Sequence, residues 1–189
     1  MDNEYNITFS KCCKHLKVVL LHKFWVFIFS CYAGIPLQGF LHDFSKFSWV
    51  EFWEGARYVI GSSSPLDISR RQNGYSLAWL HHKGRNKHHF EYWIDLAATE
   101  KTPVIPYKYS VEMLCDTLAA GKTYKGKSWT KDYQLEYFKH RRDIQWINPK
   151  IYNFLLEAYS DVSKDGNIKR VLNKKNLRKI YDKHVFNKV

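Results

Sequence analysis

Apolar residues recur along the chain at three- and four-residue spacing, and stretches that alternate apolar with polar are scarce, so the pattern predicts helices and almost no strand. The longest such run predicts a first helix over 8–31. Gly34, Pro36 and Gly39 then predict a turn, followed by a short helix over 40–44. Ser48 and Glu51 stand at capping-box spacing, in which each side chain satisfies a free backbone N–H, so a helix is expected to begin at Trp49 and to end before Gly61. The SSSP run, Asn73 and Gly74 make 61–74 a loop. Further helices are expected over 75–82, from near His88, over 111–120 with Gly121 as its stop, and from Thr130 to Trp146. Asn148-Pro149 offers a cap and a first-turn proline for another, which Asp165-Gly166 closes. Beyond it, Ile168, Val171, Leu172, Leu177, Ile180 and Tyr181 keep a helical apolar stripe. The expectation is an all-α chain: one helical bundle over 1–163, with 164–189 a basic amphipathic helix docked on it.

Composition supports one folded unit. The chain has 189 residues, 45% of them hydrophobic and 17% aromatic, which excludes a disordered chain or a coiled-coil rod. The most apolar segment, 18–41, is interrupted by His22 and Lys23 and later by Gly34, Pro36, Gln38 and Gly39. That leaves less than the roughly 18 unbroken apolar residues of a membrane span, so it reads as buried core and no membrane partner is expected. The acidic start MDNEYN is unlike an export signal. Cys12, Cys13, Cys31 and Cys115 form no Cys-x-x-Cys pair, and a reducing, cytoplasmic setting is expected. The net charge is +12, of which +7 falls in 164–189, so the surface attracts anions and the tail makes nucleic acid a candidate partner.

The histidines carry the chemical signal. His15 shares the inner stripe of the first helix with Cys12, Val18 and Val19; His42-Asp43 lies in an apolar stretch; His81-His82 and His88-His89 bracket a short basic turn; Asp116 interrupts the run from Met113 to Ala120. His22 lies on a stripe similar to that of His15 and reads as a core histidine. An imidazole or carboxylate buried among Leu and Phe is costly unless something pairs with it, and a divalent metal held between helices is one effective partner. Which member of each adjacent histidine pair faces inward stays open, because one residue of shift rotates a helical side chain by about 100°.

Taken in order, His15, His42-Asp43-x-x-Lys46 and Asp116 resemble the HD-domain metal-dependent phosphohydrolases. More narrowly, HDFSKFS together with AWLHHKGRNKHHFEYW is similar to DUF5662, a bacterial and phage family of HD-like proteins of unknown function. The resemblance runs over about 14–121 and implies an HD-like bundle with a metal site between helices. It implies that His15, His42, Asp43 and Asp116 ligate a first ion, that Asp43 bridges to a second, and that His82 with His88 or His89 completes the second site. The ions would be divalent Mn, Fe, Co, Ni or Zn. The implied reaction is hydrolysis of a phosphate ester, in a nucleotide or a related phosphorylated small molecule, by metal-activated water. Lys46, Arg85, Lys83 and Lys87 would neutralise phosphoryl charge, Tyr92 would contact a base or sugar, and Asn86 and Glu91 would orient imidazoles. A di-iron oxygenase using the same cage and a degenerate scaffold that only binds partners are the rival implications.

Residues 121–128 match the phosphate-loop pattern G-x-x-x-x-G-K-[ST], but that chemistry needs a strand before the loop and a helix directly after it. Here a helix is expected before it, so the match is set aside. The runs FWVFIF and FSWVEFW fall at helical spacing and read as packing.

Overall fold

The Thr8 hydroxyl accepts the Lys11 amide at 3.3 Å and opens α1 (Phe9–Tyr32), the helix expected over 8–31. The computed structural model describes residues 3–60 and 63–188. Among them are ten α-helices, five 3₁₀ turns and no strand, which is the expected all-α class.

Pro36 starts α2 (Pro36–Leu41) at its first turn, where the missing N–H costs nothing, so the helix lies earlier than the expected 40–44. Gly39 sits inside it because a Cβ there would collide with the Ser30 side chain on α1. A 3₁₀ turn (Phe44–Phe47) follows, then α3 (Trp49–Arg57), whose first amides are capped by the Ser48 hydroxyl as expected. The reciprocal half of the capping box is not made: Ser48 N–H donates to the Ser45 carbonyl, which leaves the Glu51 carboxylate free for other partners.

The loop expected over 61–74 is mostly helix. Gly61 and Ser62 lie outside the described residues, while Pro65 opens α4 (Pro65–Asn73). Ser76 caps α5 (Leu77–Lys83), and the helix expected from near His88 is instead an irregular turn leading into a 3₁₀ turn (Phe90–Trp93). In α6 (Tyr107–Lys125), Gly121 is no stop: a Cβ there would lie 2.8 Å from Gln134 Oε1, so glycine makes room for a neighbour. The helix ends at Gly126, whose φ of +53 suits a residue without Cβ. A short 3₁₀ turn (Gly126–Ser128), and no strand–loop–helix unit, occupies the phosphate-loop match.

The helix expected from Thr130 to Trp146 is α7 (Tyr133–Lys139), begun after Asp132, and a separate 3₁₀ turn (Ile144–Trp146); between them Arg141 folds back onto Asp143 through two hydrogen bonds. Asn148 and Pro149 start α8 (Pro149–Asp165) and Gly166 ends it, as expected. The tail forms α9 (Ile168–Val171) and α10 (Lys174–Phe186). Leu177, Ile180, Tyr181 and Val185 of α10 are buried, α10 packs on α8, and the Tyr181 hydroxyl donates to the Ile105 carbonyl at 2.8 Å.

α1 packs on α2, α3 and α6, and α6 in turn meets α7, α8 and α10. The core runs through Val26 and Phe29 of α1, Leu114 and Leu118 of α6, Phe154 of α8 and Leu177 of α10. The segment 18–41 is buried on one face only: Leu20, Phe24, Leu37 and Phe40 are exposed, because α1 has neighbours on one side alone. Among the described residues no helix is long and apolar enough to cross a membrane.

Candidate metal centre

Six segments aim polar side chains at one buried point. α1 contributes His22, the turn after α2 gives His42 and Asp43, α5 gives His82, the turn before the 3₁₀ turn at Phe90 gives His88 and His89, and α6 gives Glu112 and Asp116. Glu51 reaches in from α3.

Asp43 is the centre. Its backbone is left-handed (φ 54, ψ 31), a conformation that Asp and Asn tolerate better than most residues, and its carboxylate is buried. Oδ2 lies 3.1 Å from His42 Nε2, 3.8 Å from His22 Nε2 and 2.6 Å from Lys46 Nζ. Oδ1 lies 3.3 Å from His82 Nε2 and 3.4 Å from His88 Nε2. Asp116 Oδ1 stands 3.0 Å from His22 Nε2 and 3.5 Å from His42 Nε2. Despite these separations, Nε2 of His22, His42, His88 and His89 and Oδ1 of Asp43 are buried with no hydrogen-bond partner, while Oδ2 has the Lys46 ammonium as its ion-pair partner. Lone pairs gathered on shared space in this way are what a cation needs, and unpaired they are costly.

Among the described residues three sets of donors could hold an ion: His22, His42, Asp43 and Asp116, and Asp43, His82, His88 and His89, which share Asp43, and a third set of His42, His88 and Glu112. Imidazole nitrogen with carboxylate oxygen suits a divalent transition ion, so the residues present fit such a group. The outer partners fit too. His82 Nδ1 lies 2.7 Å from Glu51 Oε2, and His42 Nδ1 lies 2.9 Å from Glu112 Oε1. Asn86 donates to Ser45 Oγ and to the His82 carbonyl, both at 2.8 Å.

Electrostatics follow the geometry. Burial alone would raise the Asp43 and Asp116 carboxyls, but the surrounding imidazoles, and Lys46 in the case of Asp43, hold both well below the usual carboxylate range. Burial opposes protonation of His42, and the carboxylates around it outweigh burial and lift its basicity well above that of a free imidazole. His22 goes the other way, to about 4, through burial and the charge of Lys46.

The cluster forms one wall of a cavity of about 1460 Å³. Lys46, Arg70, Lys125, Arg141 and Arg142 are its cationic lining, with Trp79, Tyr133 and Tyr137 among its aromatic groups.

The model of the family of unknown function DUF5662 matches residues 11–161. The chain belongs to that family. No curated protein and no solved structure matches it. The DUF5662 match takes in every donor of the cluster and stops before α9 and α10.

Within this DUF5662 chain the expected site residues are placed unevenly. His42, Asp43, His82, His88, His89 and Asp116 come together. His88 and His89 both point inward because they lie in an irregular turn, where the helical rotation between neighbours does not apply, and His81 turns outward to Glu51 Oε1 at 2.7 Å. His15 is not brought to the cluster: its ring packs on Phe52 and against Gly55, where a Cβ would collide with the imidazole. His22, two helical turns on, takes the place expected for His15, because that part of α1 faces Asp116 of α6. Lys46 lines the cavity, but Lys83 at the end of α5, Arg85 and Lys87 in the turn after it, and Tyr92 in the 3₁₀ turn do not; Arg85, Lys87 and Tyr92 are exposed, and Arg85 reaches back to the His81 carbonyl. Glu91 lines the cavity with Oε2 unpartnered, and no hydrogen bond ties it to an imidazole. Sequence reasoning missed Glu51 as more than a cap and missed Glu112. The signal for Glu112 was there: it stands four residues before Asp116, on the same face of an otherwise apolar helix.

Proposed function

We propose that this chain is a metal-dependent phosphohydrolase with an HD-type site, acting on a nucleotide or a related phosphate ester. The observation that carries the reading is the set of buried, unpartnered Nε2 and carboxylate atoms gathered around Asp43 at one wall of a large cavity. His22, His42, Asp43 and Asp116 would hold one ion, and Asp43, His82, His88 and His89 a second. A divalent transition ion in this position supplies Lewis acidity toward a phosphoryl oxygen and makes water a stronger acid.

The chain's own groups do the rest. Lys46, 2.6 Å from Asp43 and on the cavity wall, offers an ammonium to phosphoryl oxygens. Arg70, Arg141, Arg142 and Lys125 take over the charge-neutralising place expected for Arg85, Lys83 and Lys87, and Trp79, whose face already carries Arg70 at 4.8 Å, offers a flat surface for a base. Asp43 is buried, and burial strengthens the charge interactions around it.

Elemental mass spectrometry on protein purified without a metal-affinity tag is the test, comparing wild type with His42→Ala and Asp43→Asn. Stoichiometric metal in the wild type, lost in folded variants, with phosphate release that chelation abolishes, supports the reading. A wild type that stays metal-free after reconstitution with manganese, iron and zinc overturns it, and turnover that requires dioxygen replaces hydrolysis with oxidation.

A second reading is favoured by a separate feature. Lys164, Lys169, Arg170, Lys175 and Lys179 line a groove of about 960 Å³ along α9 and α10, against Asp161 and Asp165. Apart from Phe186 at its end, the apolar side of α10 is already buried, so the groove offers charge and no large apolar side chain, which suits a nucleic-acid backbone better than lipid. Oligonucleotide binding there should survive chelation and weaken with salt. Charge reversal at Lys169, Lys175 and Lys179 should flatten the log–log salt slope by roughly 0.9 for each duplex phosphate left unneutralised. Binding indifferent to salt would remove this reading.

A further inference from the structure

Glu112 is buried, and both of its oxygens face side chains of the cage or its support. Oε1 lies 2.9 Å from His42 Nδ1 and 3.1 Å from His88 Nδ1, and Oε2 accepts from Gln38 Nε2 at 2.5 Å. A carboxylate oxygen set between two Nδ1 atoms at these distances accepts from both, and a ring that donates from Nδ1 to it presents Nε2 as its bare lone pair.

Those two Nε2 atoms serve different sides of Asp43. His42 faces Oδ2 and belongs with His22 and Asp116, while His88 faces Oδ1 and belongs with His82 and His89. Asp43 is the one residue common to the two groups from the inside. Glu112 joins them from behind, through a single oxygen. Glu51 is the contrast: one of its oxygens holds His82, and the other is taken up by His81 outside the cage. As a ligand itself, in the set it forms with His42 and His88, Glu112 would have its Oε1 compete with the hydrogen bonds from their Nδ1 atoms.

We infer that Glu112 is a positioning residue that couples the two ion sites, fixing the tautomer and the aim of one imidazole in each. The inference rests on the metal-dependent reading above, and it goes beyond that reading by assigning the coupling to one carboxylate that stands behind both sites. Outer partners of this kind typically contribute roughly 10–100-fold to metal affinity.

The experiment is a cobalt(II) titration of the metal-free full chain, read by visible absorption and by competition with a chromophoric chelator, on wild type, Glu112→Gln and Glu51→Gln. Circular dichroism establishes that each is folded. Two binding events are expected in the wild type, both weakened roughly 10–100-fold in Glu112→Gln and only one weakened in Glu51→Gln. In the zinc-loaded wild type, ring-nitrogen NMR should show a proton on Nδ1 of both His42 and His88, a signature that simple loss of packing would not produce. If Glu112→Gln does not fold, Glu112→Asp, which keeps the charge but shortens the reach, is read in the same way. Two events in the wild type with one or neither weakened in the Glu112 variant overturn the coupling and leave the metal reading standing. A single event in the wild type also overturns the coupling, and no binding at all overturns both.

Discussion

His15 and His22 share one stripe of α1, yet one packs against a glycine and the other meets Asp116. Their substitutions should therefore diverge. His22→Ala is expected to lose bound metal, whereas His15→Ala keeps its metal content, both measured by elemental analysis of folded protein. His15 has its own signature in acid. Burial, with the charge of Lys46, lowers its basicity to about 4, so the fold holds it neutral. An unfolded chain protonates it near 6.5, so stability is complete above that value and falls as pH drops from 6.5 toward 4. Urea unfolding of the metal-free protein at pH 7 and pH 5 should show a smaller loss in His15→Gln than in wild type, by at most about 2 kcal/mol. An equal loss would mean that His15 is not the group being titrated. At Asp43 two demands fall on one residue. The left-handed backbone tolerates Gly, Asn and Asp best, and the charge required of a bridging ligand leaves Asp, so Asp43→Asn is expected to fold and to bind poorly.

The helix ends held by a local cap were the legible part of the fold. Thr8, Ser48, Asn148 and Gly166 each mark a boundary in the sequence and hold it in the structure, since a cap is a local hydrogen bond. Gly39 and Gly121 were misread for a physical reason. A glycine that makes room for a neighbouring helix leaves the same mark in a sequence as one that ends a helix, and only the packing tells them apart. Gly39→Ala tests the difference: α2 should be pushed from α1 at a cost of about 1–3 kcal/mol in urea unfolding, and bound metal should fall because His42 directly follows α2. Unchanged stability would mean that Ser30 gives way. The site was legible wherever a residue's type was unusual for its surroundings, as with His42-Asp43 and Asp116. It was illegible wherever direction mattered, as in choosing His22 over His15 or turning Arg85 outward, because direction is set by which helices meet.

Across the whole molecule, the candidate metal donors and the most basic groove occupy different regions. Every donor of the cage lies between residues 22 and 116, and the most basic groove lies on α9 and α10. Chelation should therefore silence the first without touching the second, a separation that one preparation can show by measuring phosphate release and oligonucleotide binding side by side. The spread of the donors has a further consequence. His22, Asp43, the segment holding His82 and His88, and Asp116 are far apart along the backbone, so ions that gather them would close several long loops at once, much as disulfides would. Unlike a disulfide, this cross-link needs no oxidising environment and can be withdrawn. To the first six helices, a chelator would be what a reductant is to a secreted protein: the agent that unbuttons the fold.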